Sequence, residues 1–97
     1  MIRQIQEGEK LVSNTAAMLY PNPSDGTVNL SYTSDVSETV DVKVYDVAGR
    51  VLFRRAYRAV PGLNTWHMSM PNLGQGMYYM ELDGKVKHQR MIMEIAK

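Results

Sequence analysis

The fold is decided by residues 40–53, VDVKVYDVAGRVLF. Apolar and polar residues alternate from Val40 to Val44, a period of two that places one face of a β-strand on a core and the other in water. The pattern breaks at residues 46–50, where Gly49 can take the positive φ that a tight reversal needs. A second apolar run begins at Val51. The stretch predicts a β-hairpin in the middle of an all-β domain.

The rest of the chain repeats this arrangement of short alternating runs separated by turn residues. The predicted strands are Met18–Tyr20, Thr27–Thr33, a strand beginning at Val40, Val51–Val60, Asn64–Met70, Met77–Leu82 and Val86–Ile95. Residues 34–38 are predicted to form a polar loop, and Asp83-Gly84 has the composition of a two-residue hairpin turn. Seven short strands without a helix indicate a two-sheet antiparallel β-sandwich, with a small barrel as the alternative.

Length and composition indicate one compact domain. The chain has 97 residues, of which 44% are hydrophobic, and it contains no cysteine for a disulfide or a thiolate metal site. We expect residues 1–17 to be a linker or the tail of a preceding domain, and residues 18–97 to be the folded domain. Because no apolar run approaches the roughly 20 residues of a membrane span, we expect no integral membrane segment.

Large apolar side chains are predicted to fill the space between the sheets. Trp66 is placed in this core, and Leu73 is expected to turn inward as a plug. Methionine is unusually frequent, and its flexible side chain suits an irregular core as well as an adaptable binding surface. The methionines predicted to lie in the core are Met68, Met70, Met77, Met80, Met91 and Met93.

The residues that could carry chemistry are few and scattered. His67 and His88 are the only histidines, too few for an ordinary zinc site, so we expect no metal, no cofactor and no catalytic residue. Acidic residues fall at turns, where calcium is the less favoured alternative to a structural role. A net charge of +1 argues against a nucleic-acid partner. Basic residues form either a patch for an anionic partner or a solvated face; they are Arg54, Arg55, Arg58, Lys85, Lys87 and Arg90.

Four short motifs, in order and at the right spacing, resemble the C-terminal sorting domains of the type IX secretion system. The first is the Tyr-Pro-Asn-Pro opening, the second an apolar-Tyr-Asp run followed by Gly and a basic residue, and the third a Leu before a Gly-apolar-Tyr strand. The fourth is a final basic hairpin that ends near the terminal lysine. The matching residues are Tyr20, Pro21, Asn22, Pro23, Gly26, Val44, Tyr45, Asp46, Gly49, Arg50, Gly62, Asn64, Leu73, Gly76 and Tyr78.

The resemblance implies an immunoglobulin-like sandwich without catalytic activity that follows a cargo domain. Such domains direct their cargo from the periplasm through an outer-membrane translocon to the cell surface or the medium, and a surface sortase commonly removes them. Translocon and sortase components are therefore the implied partners. Self-association through an edge strand is a further possibility. The alternative is an immunoglobulin-like accessory or carbohydrate-binding module, which joint exposure of Trp66, Tyr57 and Tyr79 would favour.

Two segments are candidate sites for these partners. We expect the last strand and its basic hairpin to bind a receptor, in part by strand addition at a sheet edge. The candidate receptor-binding residues are Lys85, Lys87, Arg90, Met91, Ile92, Met93, Ile95 and Lys97. Cleavage needs an extended chain, which the small polar residues before the first strand suggest. The candidate cleavage residues are Ser13, Asn14, Thr15, Ala16 and Ala17.

Overall fold

The computed structural model describes residues 17–97, and within that range it contains seven β-strands and no helix. The strands are β1 Ala17–Tyr20, β2 Thr27–Ser34, β3 Glu38–Tyr45, β4 Val51–Ala59, β5 Gly62–Ser69, β6 Gly76–Asp83 and β7 His88–Ile95. All neighbouring strands are antiparallel. The predicted all-β fold is confirmed. The predicted linker lies outside the described residues except for Ala17, which belongs to β1.

The strands form two sheets that pack as a sandwich. One sheet has the order β1-β2-β5 and the other the order β4-β3-β6-β7. β3 lies between β4 and β6, so the predicted hairpin is the middle of the larger sheet. In a constant-type immunoglobulin domain the fourth strand joins the sheet of the first two strands. Here β4 pairs with β3 instead, which leaves β4 and β5 as edge strands of different sheets.

Every strand contributes to one core, because alternate residues of each strand point between the sheets. Burying one of its larger side chains contributes about 1.5–3 kcal/mol to folding. The predicted apolar face of β3 is confirmed, and β2 and β6 show the same alternation. The core residues are Ala17, Val28, Leu30, Tyr32, Val40, Val42, Val44, Ala59, Met68, Met70, Met80, Leu82, Met93 and Ile95.

The methionines follow the same alternation, and one prediction about them is wrong. Four of the six are fully buried and Met91 is partly buried against the core, whereas Met77 is 48% exposed. Met77 precedes the inward-facing Tyr78, so it points to the outer face, where it lies opposite Glu94. Trp66 is also only partly buried, although it packs against the core, as Leu73 does.

The predicted two-residue turn at Asp83-Gly84 is also wrong. Asp83 pairs with His88, so a four-residue loop joins β6 to β7, and β7 begins two residues later than expected. The loop is closed by the Gly84 N–H, which donates to the Lys87 carbonyl at 2.9 Å. It is also held from the neighbouring strand, because the Lys85 N–H donates to Glu38 Oε1 at 2.6 Å. A long-range contact therefore overrides the local turn preference.

Glu38 is the centre of a buried polar cluster at this end of the sandwich. Residues 34–38 were expected to form an exposed polar loop, but Ser34 ends β2, Glu38 begins β3, and both are buried. The Ser34 and Tyr32 hydroxyls donate to Glu38 Oε2 at 2.6 and 3.1 Å. The hydrogen bond from Ser34 is the main cause that lowers the pKa of Glu38. Burial, and then the Glu38 carboxylate, raises the pKa of Tyr32 to about 12.

A side chain at Gly84 would collide with this cluster, and Gly84→Ala should therefore destabilise the fold. A Cβ at Gly84 would lie 2.6 Å from Glu38 Oε1 and 2.9 Å from the Tyr32 hydroxyl. We expect the free energy of unfolding to fall by about 1–3 kcal/mol in urea titrations. Gly74→Ala is the matched control, since nothing lies within 4 Å of its Cβ position. Equal stability of the two variants would contradict this description of the cluster.

The lowered pKa of Glu38 also predicts an acid-sensitive contribution to stability. A carboxylate whose pKa is lower in the folded state stabilises the protein above its unfolded pKa, about 4.3, and loses that contribution as the pH falls through the folded value. We expect Glu38→Gln to cost about 1–3 kcal/mol near neutral pH and to flatten the fall in stability between about pH 5 and pH 2. Glu94→Gln, at an exposed position, is the control variant. Parallel profiles for Glu38→Gln and the native chain would refute this.

Candidate functional site

The middle motif is a loop built around the side chain of Asp46. Asp46 Oδ1 accepts the N–H groups of Ala48 and Arg50 at 3.0 and 2.9 Å, and Oδ2 accepts Arg50 Nε at 2.7 Å. The Arg50 N–H and then its guanidinium hold the pKa of Asp46 below its usual value. Gly49 has a φ of +88°, which the sequence correctly indicated for a reversal here. These motif residues therefore shape the β3–β4 connection.

Asn64 plays the corresponding role between β4 and β5. This buried amide accepts the Val60 N–H at 3.0 Å through Oδ1. Its Nδ2 lies within 3.2 Å of the carbonyl oxygens of Tyr32, Val60 and Gly62. The turn reverses at Gly62, where φ is +102°. One side chain thus satisfies the backbone of a turn and of the adjacent strand, which explains asparagine at this position.

The third block closes the opposite end of the sandwich. Leu73 packs against the core, and the Tyr78 hydroxyl donates to the Gly74 carbonyl at 2.7 Å. Gly26 meets the same region, because the Met70 N–H donates to its carbonyl at 2.7 Å. A Cβ at Gly26 would lie 3.0 Å from the Met70 carbonyl oxygen, and its φ is +110°, so glycine is favoured there on both counts.

The Tyr-Pro-Asn-Pro segment runs from the end of β1 across to β7 and covers part of that strand's outer edge. The Asn22 amide donates to the Ile92 carbonyl and accepts the Glu94 N–H, both at 2.9 Å. The Ser24 N–H then donates to the Glu94 carbonyl at 3.0 Å, and the Ser24 carbonyl accepts the Ala96 N–H at 2.8 Å. We call this contact between residues 22–24 and β7 the Asn22 clamp.

The clamp limits where a receptor strand could add to β7. β7 is an edge strand, but backbone groups of its last residues are already paired with Asn22 and Ser24. Outward-facing positions alternate along an antiparallel strand, so only the first half, at His88 and Arg90, has an edge without a strand partner among residues 17–97. Strand addition along the whole of β7, as the sequence suggested, would require the clamp to open.

The candidate receptor-binding residues divide into exposed and buried groups. Met93 and Ile95 are fully buried and Met91 is partly buried, so the first two support the fold rather than a contact surface. Arg90 and Ile92 lie on the outer face of the larger sheet, where Ile92 is 55% exposed. The remaining candidates, which are basic, lie at the two ends of the sandwich. Lys85 is exposed in the loop, the Lys87 ammonium donates to the Thr33 carbonyl, and Lys97 donates to Pro71.

Tyr79 joins Arg90 and Ile92 in an outer-face patch that sequence reasoning missed. Tyr79 lies directly opposite Ile92 in the β6–β7 ladder, and the Arg90 guanidinium lies 5.5 Å from the centre of the Tyr79 ring. Tyr79 is 36% exposed. Tyr79 lies two residues after the outward-facing Met77, and this spacing was the sequence signal that could have placed Tyr79 on the outer face. We call these three residues the β6–β7 patch.

The candidate cleavage region lies almost wholly outside the described residues. Of its five residues only Ala17 is described; it is buried, belongs to β1 and lies opposite Tyr32. A protease that needs an extended, unpaired chain would therefore have to act before Ala17. Ser13, Asn14, Thr15 and Ala16 stay candidate residues by prediction alone.

Groups that could carry chemistry are dispersed over the surface of residues 17–97. Within that range no three His, Asp or Glu side chains are placed to hold a metal ion. His67 Nδ1 lies 2.7 Å from Asn29 Oδ1, and His88 Nδ1 lies 2.6 Å from Asp83 Oδ1 on the other sheet. No helix in the described part of the chain could cross a membrane.

The fold is a β-sandwich, and the motif residues described above form hydrogen bonds that hold its turns and the edge of β7. Residues 18–94 match the family of secretion system C-terminal sorting domains. No curated protein matches the chain. Because the match covers most of its length, the chain belongs to this family of type IX secretion C-terminal sorting domains, as the four motifs indicated.

The Asn22 clamp yields a test of its own. Asn22→Ala removes two hydrogen bonds to β7, which should lower the free energy of unfolding by about 1–2 kcal/mol and speed exchange of the Glu94 amide proton. Asn72→Ala, an exposed loop asparagine, is the matched control. Urea titration and hydrogen exchange by NMR provide the two measurements. Unchanged protection of Glu94 in Asn22→Ala would show that the clamp does not hold this edge.

Proposed function

We propose that the domain acts as a folded export signal: the type IX machinery recognises its surface and carries the attached cargo from the periplasm across the outer membrane. The family match over residues 18–94 is the observation that carries this proposal. The motif geometry supports it, since Asp46, Asn64 and Asn22 all organise backbone rather than reactive groups. A signal of this kind depends on shape, and the motif residues maintain that shape.

The β6–β7 patch is the surface we assign to the receptor. It combines an arginine, a tyrosine and an exposed aliphatic residue, and arginine and tyrosine are enriched among residues that dominate binding energy. Lys85 and the open first half of β7 extend the same surface. Met93 and Ile95 contribute indirectly, because their burial fixes the register that places Arg90 and Ile92 on the outer face.

Removal by a surface sortase is the second part of the proposal. The segment from Ser13 to Ala16 precedes β1, and its small side chains suit an extended substrate. Ala17 marks the limit of the accessible segment, since it is buried opposite Tyr32. Cleavage before Ala17 would leave the sandwich intact. The scissile bond would therefore lie in a segment separate from the receptor surface.

A carbohydrate-binding module is less well supported. Such a module presents aromatic side chains together on a flat face, whereas two of the three aromatics in question point between the sheets and the third points outward. Tyr57 and Trp66 are partly buried and stack with ring centres 4.9 Å apart. Tyr79 lies on the outer face of the larger sheet. They form no common platform.

Secretion of a reporter fusion tests the receptor surface. We expect the native chain to carry the reporter to the surface or medium of a bacterium with a type IX system. The double substitution Arg90→Glu with Ile92→Glu should reduce the amount of exported reporter at least about tenfold. Met18→Glu, at an exposed position of β1, is the control. Deleting residues 91–97 is a poorer test because it also removes core residues.

Two further measurements make the result decisive. Circular dichroism and thermal unfolding must show that the double variant is folded. Reporter that leaves a strain lacking the translocon equally well would contradict the export role. Normal export of the folded double variant, with export still dependent on the translocon, would contradict only the assignment of the patch. The two failures are thus distinguishable.

A further inference from the structure

The four edge strands of the sandwich are protected to different degrees. Natural edge strands avoid unwanted pairing by being short, by carrying charge or proline, by bulging, or by being covered. β1 has four residues, β4 carries three arginines and faces a register break at Val44/Tyr45, and the second half of β7 is covered by the Asn22 clamp. Within residues 17–97, β5 has none of these features. It runs for eight residues without charge or proline, in unbroken register with β2.

The open edge of β5 presents backbone groups at alternate residues. The Met70 N–H, directly after β5, donates to the Gly26 carbonyl that precedes β2, so even-numbered residues turn their backbone groups towards β2. Odd-numbered residues therefore direct their N–H and C=O groups away from the sheet. These groups have no backbone partner among residues 17–97. The outward-facing residues are Leu63, Thr65, His67 and Ser69.

The outer face of this sheet is uncharged as well. Exposed side chains of β5 and the outer side chains of β2 are hydroxyl, amide, imidazole or aliphatic groups. The largest apolar side chain among those of β5 that face outward is Leu63, which is 70% exposed. The outer face of the larger sheet, in contrast, carries Arg54, Asp41 and Glu81 among other charges. An incoming strand would meet no like charge on the outer face of the β1-β2-β5 sheet.

The neighbouring β4 strand indicates what kind of strand would fit. Arg55 lies over the ring of Tyr57 at 5.7 Å, and that ring stacks on Trp66 of β5. Arg55 therefore stands at the seam between β4 and β5, and it forms no ion pair with any described residue. The buried Tyr57 hydroxyl at this seam also lacks a hydrogen-bond partner among residues 17–97.

A second copy of the chain is a poor partner for this edge. Pairing β5 with β5 of another copy about a two-fold axis would also bring the two β4 strands together. Arg55, which lies opposite the buried Val42 on the inward face of β4, would then face its own counterpart, and like charges brought together repel. An acidic segment would instead bring carboxylates that could pair with Arg55.

We propose that the β5 edge accepts an extended segment of another protein as a fourth strand of the smaller sheet, and that this segment is acidic on the side that faces Arg55. Its outer side chains are uncharged, and its backbone pairs with the outward groups of Leu63, Thr65, His67 and Ser69. The site is separate from the β6–β7 patch and does not depend on the export role. It is a strand-addition site for an acidic extended peptide.

The single tryptophan of the chain gives a direct readout, because Trp66 lies in β5. The probe is an eight-residue peptide of alternating threonine and glutamate with blocked ends, and the control peptide has lysine in place of glutamate. Titrated into the full 97-residue chain, the glutamate peptide should change Trp66 fluorescence saturably and bind at least about tenfold more tightly than the lysine peptide. Absence of binding by the glutamate peptide, or equal binding of both peptides, would overturn the proposal.

Proline substitution separates edge pairing from folding. Thr65→Pro removes an outward N–H that the native ladder does not use, and proline is tolerated at such edge positions. We expect Thr65→Pro to weaken binding of the glutamate peptide at least about tenfold and Thr65→Ala, which keeps the N–H, to bind within about twofold of the native chain. Arg55→Gln should remove the preference for glutamate over lysine. Equal binding by Thr65→Pro and Thr65→Ala would refute strand addition at β5.

Hydrogen exchange supplies a measurement on the native chain in case Thr65→Pro does not fold. Adding the glutamate peptide should slow exchange of the outward amide protons of Thr65 and His67, whereas those of Trp66 and Met68 already face β2. Unchanged exchange at Thr65 and His67 in the presence of saturating peptide would overturn the proposal. Dimerisation through these same amides without peptide, seen by sedimentation, would assign the edge to a second copy and overturn it equally.

Discussion

Every backbone N–H and C=O group that is removed from water needs a hydrogen-bond partner, and two open sheets leave such groups along four edge strands and in every turn. This constraint accounts for most of the family motif. Asn22 supplies an amide that pairs with β7 as a strand residue would. Asn64 and Asp46 do the same for the turns on either side of β4. The motif residues complete the backbone of the sandwich where strands cannot.

The buried polar groups of residues 17–97 likewise serve the structure. Its buried polar cluster at Glu38 is satisfied by Ser34, Tyr32 and the backbone of Lys85, and it joins the start of β3 to the last hairpin. The polar groups of greatest structural consequence are thus committed to holding the last hairpin against the core. The surfaces that we propose for partners are therefore exposed ones, namely the β6–β7 patch and the edge of β5.

Local pattern was sufficient for the alternating strands and for several turns. The valines of β3 and the apolar face of β2 follow from residue spacing, because side chains alternate between the two faces of a strand. Local pattern did not predict the turns and loops whose conformation depends on contacts with residues distant in the chain. The turn after Asp83 lengthened because Glu38 binds Lys85, and residues 34–38 proved buried at both ends because their polar atoms satisfy one another.

By itself, the sequence determined the all-β class, the inward faces of most strands, the positive-φ glycine at Gly49, and the family. These features depend on alternation, on the conformational freedom of glycine and on motif order, all of which are local. Only the tertiary structure decided that β4 joins the larger sheet, that Asn22 covers the end of β7 and that β5 has no second strand partner among residues 17–97. Those outcomes depend on which strands become neighbours, and hydrogen bonds between residues 70 or more positions apart cannot be inferred from spacing along the chain.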